Sequence, residues 1–345
     1  MLSQSVWFGG PRAAEVRTET VTGPGDGEVL VAAVASLISA GTELLVYRGE
    51  CTSAEEYGLD RPGRAGRFPF PVRFGYQVVG RVVEAGRDAA YAPGDLVFAR
   101  HPHQSLFRLP ARASTGEGTR WAYPVPPGLA AEQATFANLY GVALNALLDV
   151  PIRFGDRVVV SGLGVVGLFL AELCRPVAGT LVLVEPRGWR RELAARIGAD
   201  AVVAPEDAAA AIEEHTAGLG ADVYFEASGA PPALQAAIAG TGQDGTVVVV
   251  SNYGGRQVAL QLAPEFHYRR LRLVSTLGGF VNPALTYRWD RTRRAAVAME
   301  RMARSGVGRL VTHRFPLPEA PAAYRLLDTG ADGVLGVLLT YDATA

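Results

Sequence analysis

The sequence has 345 residues, 49% hydrophobic and 19% charged, a composition that suits about two globular domains and excludes a disordered chain. All 33 basic residues are arginine and nearly balance 34 acidic residues, so the net charge of −1 argues against a nucleic-acid partner. Because lysine is absent, mechanisms that need a Schiff-base or P-loop lysine are excluded.

The cysteines and the apolar runs predict a cytoplasmic protein. Two cysteines, Cys51 and Cys174, are too few for a four-cysteine zinc site or a disulfide framework, although a single pairing between them stays open. The longest apolar run, 158–171, is shorter than the roughly 20 residues of a membrane span. Residues 1–16 lack the pattern of a secretory signal. We therefore expect a soluble protein with no membrane partner.

The N-terminal part of the chain is predicted to be rich in short strands. Residues 27–34 are apolar and β-branched and follow a Gly-Pro-Gly-Asp turn, and residues 76–84 have the same character. A further short run covers 96–99. Proline and glycine interrupt the segment throughout, which is typical of antiparallel strands in a barrel or a sandwich.

Beyond residue 130 the pattern changes to alternating helices and strands. A helix is predicted at 131–148, where Ala and Leu recur with helical spacing. The strands predicted after it are 157–160, 181–185, 221–226, 246–251 and 271–276, and the helices are 165–174, 190–197, 232–239 and 292–304. This alternation is typical of parallel βαβ units, so an α/β fold with a doubly wound parallel sheet is expected.

A glycine-rich turn joins the first of these strands to its helix. Gly162, Gly164 and Gly167 form a G-x-G-x-x-G motif, with Val165 and Val166 opening the helix. The first glycine permits the tight turn, the second lets backbone approach a pyrophosphate, and the third lets helix and strand pack closely. The helix N-terminus offers free N–H groups to phosphates. The motif predicts a dinucleotide site.

Glu185 indicates which dinucleotide is bound. It ends the second strand of the βαβ unit, 18 residues after Gly167. A carboxylate there accepts hydrogen bonds from the adenosine ribose and repels a 2′-phosphate, so NAD(H) is favoured. Arg187, Arg190 and Arg191 follow closely and could hold a phosphate, so NADP(H) stays open.

Several segments resemble the medium-chain dehydrogenase/reductase superfamily, the zinc-type alcohol and polyol dehydrogenases. The segment 38–48 is similar to the family's C-G-T-D-L-x-x-Y-x-G, and 74–86 to its G-H-E-x-x-G-x-V-x-x-x-G. Further similar stretches are 142–160, 221–229, 245–255, 312–315 and 326–330. The resemblance therefore covers nearly the whole chain.

The resemblance implies a domain organisation and further cofactor contacts. Residues 1–138 and 282–345 would form a GroES-like β-barrel domain for the substrate, and 139–281 an inserted Rossmann domain, with catalysis in the cleft between them. Ser228, Ser251, Asn252 and Gly278 match cofactor-contacting positions of the family. A homodimer through the edge strand at 271–276 is also implied, and edge strands are natural places to extend a sheet.

The metal positions of the family are not kept. The ligand cysteine is matched by Ala40, beside Ser39, the histidine and glutamate of G-H-E by Tyr76 and Gln77, and a later glutamate by Asn138. Zinc prefers Cys, His or carboxylate ligands, so we expect no zinc at either family site. His101 and His103 form an H-x-H that could share a metal, fill a loop or move protons, but no third ligand is visible.

Without zinc, hydroxyl and amide groups must handle the reacting oxygen. Thr42 matches a family hydroxyl that hydrogen-bonds this oxygen, and Tyr76 is the candidate proton donor. Gln77 and Asn138 could hold a polar substrate, His103 could assist proton transfer, and Glu43 would orient its neighbours. Tyr76 and Asn138 could equally fill the vacated metal pocket.

Together these features predict a zinc-independent NAD(H)-dependent oxidoreductase that interconverts a secondary alcohol and a ketone, in a biosynthetic setting, with a small molecule as substrate. An alternative is an NAD(P)H-dependent C=C or C=N reductase of the enoyl or quinone type, which Glu185 disfavours. Another alternative is a redox-neutral cyclase or isomerase that recycles NAD, or a protein that binds the nucleotide without turnover. Retention of NAD through purification without turnover of carbonyl compounds would indicate this last class.

Overall fold

The computed structural model describes residues 1–51, 53, 58, 61–112 and 120–342. The chain forms two compact units, which we call the first unit, Met1–Asn138 with Arg291–Ala345, and the inserted unit, Leu139–Asp290. The sequence had placed residues 282–290 with the first unit. They join the inserted unit, where Asn282 Nδ2 donates to the Leu148 carbonyl oxygen at 3.2 Å.

The first unit is built mainly from antiparallel strands. One sheet has the order β2-β1-β5-β4, and the other has the order β16-β17-β3-β6-β7-β9, with β8 paired to β3. The last two strands of the chain, β16 and β17, run parallel to each other. The described strands are β1 (Leu2–Gly10), β2 (Ala13–Thr20), β3 (Glu28–Ile38), β4 (Ala65–Gly66), β5 (Val72–Arg73), β6 (Val78–Ala85), β7 (Leu96–Ala99), β8 (Leu106–Pro110), β9 (Ala122–Pro124), β16 (Val311–Pro316) and β17 (Gly336–Thr340).

The inserted unit contains a parallel sheet of order β12-β11-β10-β13-β14-β15. Numbered from its own first strand, this is the 3-2-1-4-5-6 order of dinucleotide-binding folds. Valine- and leucine-rich runs such as Arg157–Ser161 are buried on both faces, which suits central parallel strands. The strands are β10 (Arg157–Ser161), β11 (Thr180–Val184), β12 (Ala201–Val203), β13 (Ala221–Glu226), β14 (Thr241–Val249) and β15 (Arg272–Ser275).

The described α-helices and 3₁₀ turns connect these strands. The helices are α1 (Thr42–Arg48), α2 (Ala131–Ala134), α3 (Ala137–Asp149), α4 (Val165–Cys174), α5 (Gly188–Ala194), α6 (Ala208–His215), α7 (Pro231–Gly240), α8 (Glu265–Tyr268), α9 (Arg291–Met302) and α10 (Ala320–Thr329). The 3₁₀ turns cover Ala195–Ile197, Pro205–Asp207, Pro283–Leu285, Val307–Leu310 and Leu317–Glu319. In the part of the chain described here, every helix is too short or too polar to cross a lipid bilayer.

The predicted helix at 131–148 is divided into α2 and α3. Between them the Thr135 hydroxyl donates to the Glu132 carbonyl oxygen at 2.6 Å, and the Phe136 ring is fully buried. A threonine that hydrogen-bonds backbone in this way competes with regular helix geometry. The spacing of apolar residues therefore predicts the helical conformation but not the break between the two helices.

An aromatic cluster forms the core of the first unit around α1. The rings of Phe8, Tyr47 and Tyr324 are fully or almost fully buried and lie 5.0–5.7 Å apart between centroids. Edge-to-face and stacked pairs at such distances stabilise a core beyond simple burial. The cluster fixes α1 against α10, and with it the polar side chains at the start of α1.

Candidate active site

The glycine-rich turn lies between the end of β10 and the start of α4 in the inserted unit. Gly162 has φ of +85°, and a side chain on it would begin 2.5 Å from the Ser228 backbone nitrogen. A Cβ on Gly167 would overlap the Gly162 carbonyl oxygen, so these positions require glycine. Around Gly164, in contrast, there is open space within 4 Å. The turn is thus closely packed at Gly162 and Gly167 but accessible at Gly164, where a phosphate would approach.

Val165 and Val166 form the first turn of α4, and both are partly exposed beside Gly164. The backbone N–H groups at a helix start have no partner within the helix. Together with the helix dipole, they favour binding of an anion. The geometry of the turn therefore suits a pyrophosphate, and the contacts of these residues with a cofactor stay a prediction.

Glu185 lies just beyond β11 and is almost completely buried. Its Oε2 accepts the Leu163 N–H at 2.8 Å and its Oε1 accepts the Arg187 N–H at 3.1 Å. The guanidinium of Arg190 lies 3.9 Å from the carboxylate, and Arg191 donates to the Glu185 carbonyl oxygen. Glu185 therefore fixes the glycine-rich turn, and each of its oxygens keeps a second lone pair for a ribose hydroxyl.

A second buried carboxylate, Glu226, was missed as a functional residue in the sequence. It ends β13, its Oε1 accepts the N–H groups of Ser228 and Gly229, and its Oε2 accepts the Tyr253 hydroxyl at 2.6 Å. Burial and this carboxylate raise the pKa of Tyr253. The sequence signal that could have identified Glu226 is an acidic residue at the end of a buried strand, which is also the position of Glu185 after β11. Glu226 positions the Ser228 turn against Gly162.

The other predicted cofactor residues lie at several places in the inserted unit. Ser251 follows β14, and its hydroxyl donates to the Glu226 carbonyl oxygen at 3.3 Å. Asn252 Oδ1 accepts the Gly254 N–H at 2.9 Å. Gly278 lies beyond β15, where a Cβ would begin 2.7 Å from Val142 Cγ2. The fold thus brings Gly162, Ser228 and Ser251 to the carboxyl ends of neighbouring strands, whereas Gly278 packs against α3.

In the first unit, three hydroxyl groups meet at the start of α1. The Tyr76 hydroxyl donates to Ser39 Oγ at 2.6 Å, and the Thr42 side chain lies close enough to lower the pKa of Tyr76. Burial and the nearby Glu43 carboxylate raise the pKa of Tyr76 above its ordinary value near 10. The phenol therefore carries its proton at neutral pH. We call Ser39, Thr42 and Tyr76 the hydroxyl cluster.

Glu43 connects the hydroxyl cluster to a fully buried polar network. Its Oε1 accepts the Ser39 N–H at 3.0 Å, and its Oε2 accepts the Tyr324 hydroxyl at 2.6 Å. The same Oε2 lies 2.8 Å from His103 Nε2, and His103 Nδ1 lies 2.7 Å from Ser36 Oγ. Burial and Glu43 raise the pKa of Tyr324 well above its ordinary value, so this phenol is a permanent donor. Glu43 thus positions the loop that carries Ser39.

His103 lies behind Glu43, and its hydrogen bonds are to Glu43 and Ser36, not to Tyr76. Its predicted part in proton transfer would therefore be indirect. Its neighbour His101 stacks on the Phe107 ring at 3.9 Å, and burial lowers the pKa of His101 to about 3. His101 is thus a neutral core histidine at physiological pH.

Gln77 and Asn138 differ in their surroundings. Gln77 is fully buried, and its Nε2 donates to the Leu37 carbonyl oxygen at 3.3 Å. Its Oε1 has no hydrogen-bond partner among the described residues. Asn138 is half-buried near the start of α3. The structure therefore shows a spare acceptor at Gln77 and leaves the predicted substrate contacts of both residues as predictions.

The described side chains at the matched positions do not form a zinc-binding set. In the described ranges no group of three or more His, Cys, Asp or Glu side chains could hold a metal. Both ring nitrogens of His103 are engaged, so the H-x-H offers no shared ligand pair. Hydroxyl and amide groups at Ser39, Tyr76 and Gln77 are poor zinc ligands.

Comparison with known sequences gives relatives among the dehydrogenases. A family model described as zinc-binding dehydrogenase matches residues 165–292. D-guloside 3-dehydrogenase of Shigella flexneri is 31% identical over 64% of this chain, an alignment that spans only 63% of that protein's length. L-threonine 3-dehydrogenase of Symbiobacterium thermophilum is 28% identical over 94% of this chain and 93% of its own. A bacteriochlorophyllide A dehydrogenase of Cereibacter sphaeroides, acting on the 2-desacetyl-2-hydroxyethyl form, is 27% identical over the full length of both.

Solved structures share the same architecture. A dehydrogenase of Sinorhizobium meliloti 1021 bound to NADP superposes with a TM-score of 0.78 at 22% identity, covering 99% of each chain. An alcohol dehydrogenase of Escherichia coli CFT073 complexed with NADH gives 0.78 at 16% identity, covering 98% of this chain and 99% of its own. The fold is thus a Rossmann domain with a GroES-like domain. The match to the zinc-binding dehydrogenase model and the similarity to L-threonine 3-dehydrogenase over 94% of this chain show that the chain is similar to the zinc-type members of the medium-chain dehydrogenase/reductase superfamily.

Proposed function

We propose that this chain is a zinc-independent, NAD(H)-dependent dehydrogenase that interconverts a secondary alcohol and a ketone. The observation that carries the proposal is the hydroxyl cluster, which includes Tyr76 at a position where the family resemblance places a zinc ligand. Relatives are named as dehydrogenases of guloside, threonine and butanediol, which supports an alcohol as the substrate.

The cofactor would be held by the glycine-rich turn and Glu185. The open side of Gly164 and the N-terminus of α4 suit the pyrophosphate, and the Glu185 carboxylate suits the ribose hydroxyls. When bound, the nicotinamide supplies the hydride transfer. NAD(H) is preferred over NADP(H) because a 2′-phosphate would meet the buried carboxylate of Glu185.

The hydroxyl cluster would manage the proton. In the reducing direction the Tyr76 hydroxyl gives its proton to the substrate oxygen, and in the oxidising direction the phenolate takes it back. Ser39 orients the phenol through its hydrogen bond, Thr42 lies beside it, and Glu43 holds Ser39 in place. No step in this scheme requires a metal ion.

The zinc-independent proposal is tested by metal analysis combined with turnover. Purified protein is treated with a chelator, dialysed, and assayed for NADH-dependent reduction of a ketone panel and NAD-dependent oxidation of the matching alcohols. We expect zinc well below one ion per chain and turnover that the chelator leaves unchanged. One zinc per chain, with activity lost on its removal and restored on its return, would show that the interpretation of Tyr76 and Gln77 is wrong.

The cofactor preference is tested by the conservative change Glu185→Gln. The neutral amide keeps an acceptor for the Leu163 N–H but loses the charged acceptor for the ribose and the repulsion of a 2′-phosphate. Since hydrogen bonds to charged groups contribute ~1.5–3 kcal/mol, the NADH-to-NADPH affinity ratio should fall by roughly 10–100-fold. Fluorescence titration with both cofactors measures this ratio. An unchanged ratio would mean that Glu185 only fixes the turn.

We also propose a homodimer through β15, the edge strand of the inserted unit. Leu273 on this strand, and Leu277 and Phe280 just after it, are exposed. An exposed apolar sheet edge is suited to pairing with a second copy. Light scattering that gave the mass of a single 36.5 kDa chain would contradict the dimer.

A further inference from the structure

Arg100 is an arginine with no carboxylate partner among the residues that the structure describes. Elsewhere in the first unit arginines pair with acids, as Arg48 does with Asp328, Arg73 with Glu19 and Arg314 with Glu132. Arg100 forms no ion pair with any described residue, and its buried Nε has no hydrogen-bond partner there. The Arg100 side chain is partly buried, and its guanidinium lies 5.8 Å from the centre of the Trp121 ring. A buried N–H that lacks a hydrogen-bond partner is costly unless a ligand completes it.

Arg64 lies in the same part of the first unit. It is only 9% exposed, and its guanidinium carbon lies 3.5 Å above the centre of the Phe74 ring. The Phe74 ring in turn contacts the Tyr76 ring edge-to-face, with 6.5 Å between centroids. Arg64 is therefore connected to the candidate proton donor through a single aromatic ring.

The backbone holds Arg64 near Arg100. The Arg64 N–H donates to the Arg61 carbonyl oxygen at 3.1 Å, which closes a turn, and Arg73 Nε donates to the Gly63 carbonyl oxygen at 2.6 Å. Gly63 packs so closely on the His101 ring that a Cβ there would overlap Nε2. Because Arg100 precedes His101 directly, the turn and Arg100 lie beside the same histidine.

Neighbouring positive charges disfavour the charged forms of Arg64 and Arg100. Burial, Arg61 and Arg100 lower the pKa of Arg64 to about 9, although the Glu43 carboxylate and Tyr76 act in the opposite direction. Burial, Arg61 and Arg291 lower the pKa of Arg100. The groups that favour the charged form of Arg100 are the phenols of Tyr123 and Tyr76, not carboxylates. Like charges held close together in a partly buried region are stabilised when an anion lies between them.

We propose that Arg64 and Arg100 bind an oxyanion of the substrate, a carboxylate or a phosphate, beside Tyr76. Arginine suits this task because its planar fork donates two parallel hydrogen bonds to such a group. The inference rests on the proposed function, since it takes Tyr76 as the group that meets the reacting oxygen. The substrate class would then be a hydroxy acid or the phosphate ester of a polyol.

The anion site can be tested without knowing the substrate. Inorganic phosphate and acetate are titrated separately into the protein by calorimetry, with NADH at saturation to occupy the glycine-rich turn. We expect at least one of them to bind the unaltered protein, and Arg100→Gln to weaken that binding by at least 10-fold. Preference for phosphate indicates a phosphate ester, and preference for acetate indicates a carboxylate.

Two further variants complete the test. Arg314→Gln removes a partly exposed arginine that pairs with Glu132, and it should leave anion binding unchanged. Arg61→Gln removes an arginine whose side chain is exposed, so the fold should tolerate the change. The charge of Arg61 acts on both Arg64 and Arg100, so the affinity for the anion is expected to fall about 3-fold. Equal binding by the unaltered protein, Arg100→Gln and Arg61→Gln, or no binding of either anion, would overturn the proposal.

The outcome is separable from that of the proposed function. NADH binding followed by fluorescence reports on the inserted unit alone, so intact NADH binding with no anion binding rejects only the anion site. If NADH does not bind, the dehydrogenase proposal fails, while the effect of Arg100→Gln on anion binding remains measurable. If Arg100→Gln changed the pH at which activity falls on the alkaline side, without any change in anion binding, the arginines would act on the pKa of Tyr76 instead of binding an anion.

Discussion

Replacing Tyr76 with phenylalanine should lower turnover by about 10²–10⁴-fold, the range expected when a general acid–base group is removed. The change deletes only the hydroxyl that donates to Ser39 Oγ, and the ring can keep its contact with Phe74. NADH affinity should be unaffected, because the residues that would hold the cofactor lie in the inserted unit. Steady-state kinetics and NADH titration on the same preparation measure both effects.

The pH profile gives an independent signature of Tyr76. Because the pKa of Tyr76 is raised above 10, ketone reduction, which needs the protonated phenol, should be constant through neutral pH and fall only above 10. Alcohol oxidation, which needs the phenolate, should rise with pH towards that pKa. Tyr76→Phe should abolish both the fall of ketone reduction and the rise of alcohol oxidation at high pH.

A matched control is Tyr91→Phe in the same unit. The Tyr91 hydroxyl is buried and donates to the Ala122 carbonyl oxygen at 2.9 Å, so its removal should cost ~1 kcal/mol of stability and no turnover. If Tyr76→Phe behaved like this control, with turnover intact across the pH range, Tyr76 would be a packing residue at the position where the family resemblance places a zinc ligand.

Replacing Glu43 with alanine should destabilise the protein strongly. The change leaves His103, the Tyr324 hydroxyl and the Ser39 N–H without their buried partner and opens a cavity. Breaking a buried pair of this kind costs ~3–5 kcal/mol, a large part of the total stability of a typical domain. Urea denaturation followed by circular dichroism measures the change in the free energy of unfolding.

Tyr324→Phe is a milder variant of the same network, and its loss of stability can be compared with that of Glu43→Ala. It removes one donor to Glu43 Oε2 and keeps the ring in the aromatic core with Phe8 and Tyr47, so a smaller loss of ~1–2 kcal/mol is expected. A loss below about 1 kcal/mol in Glu43→Ala would contradict the view that this network holds α1.

The parallel sheet shows which elements are readable from sequence. The predicted helix 165–174 and strand 221–226 have the bounds of α4 and β13, because parallel strands buried on both faces give continuous apolar runs. The hairpin β1–β2 was not predicted, since partly exposed Arg, Glu and Thr interrupt the pattern of β2. The three-residue strand β12 and the C-terminal strands β16 and β17 were also missed, being short or mixed in character.

The sequence by itself indicated the family resemblance, the position of the glycine-rich turn and the residue types at the matched zinc positions, because these depend on residue types at fixed local spacings. Only the tertiary structure decided that Glu43 meets His103 and Tyr324, which are 60 and 281 residues away, and that Arg100 lies near Tyr76. Local propensity carries no information about such pairs. They form because packing of the sheets and of α10 against α1 brings distant polar groups into one water-free region, where each must find a partner.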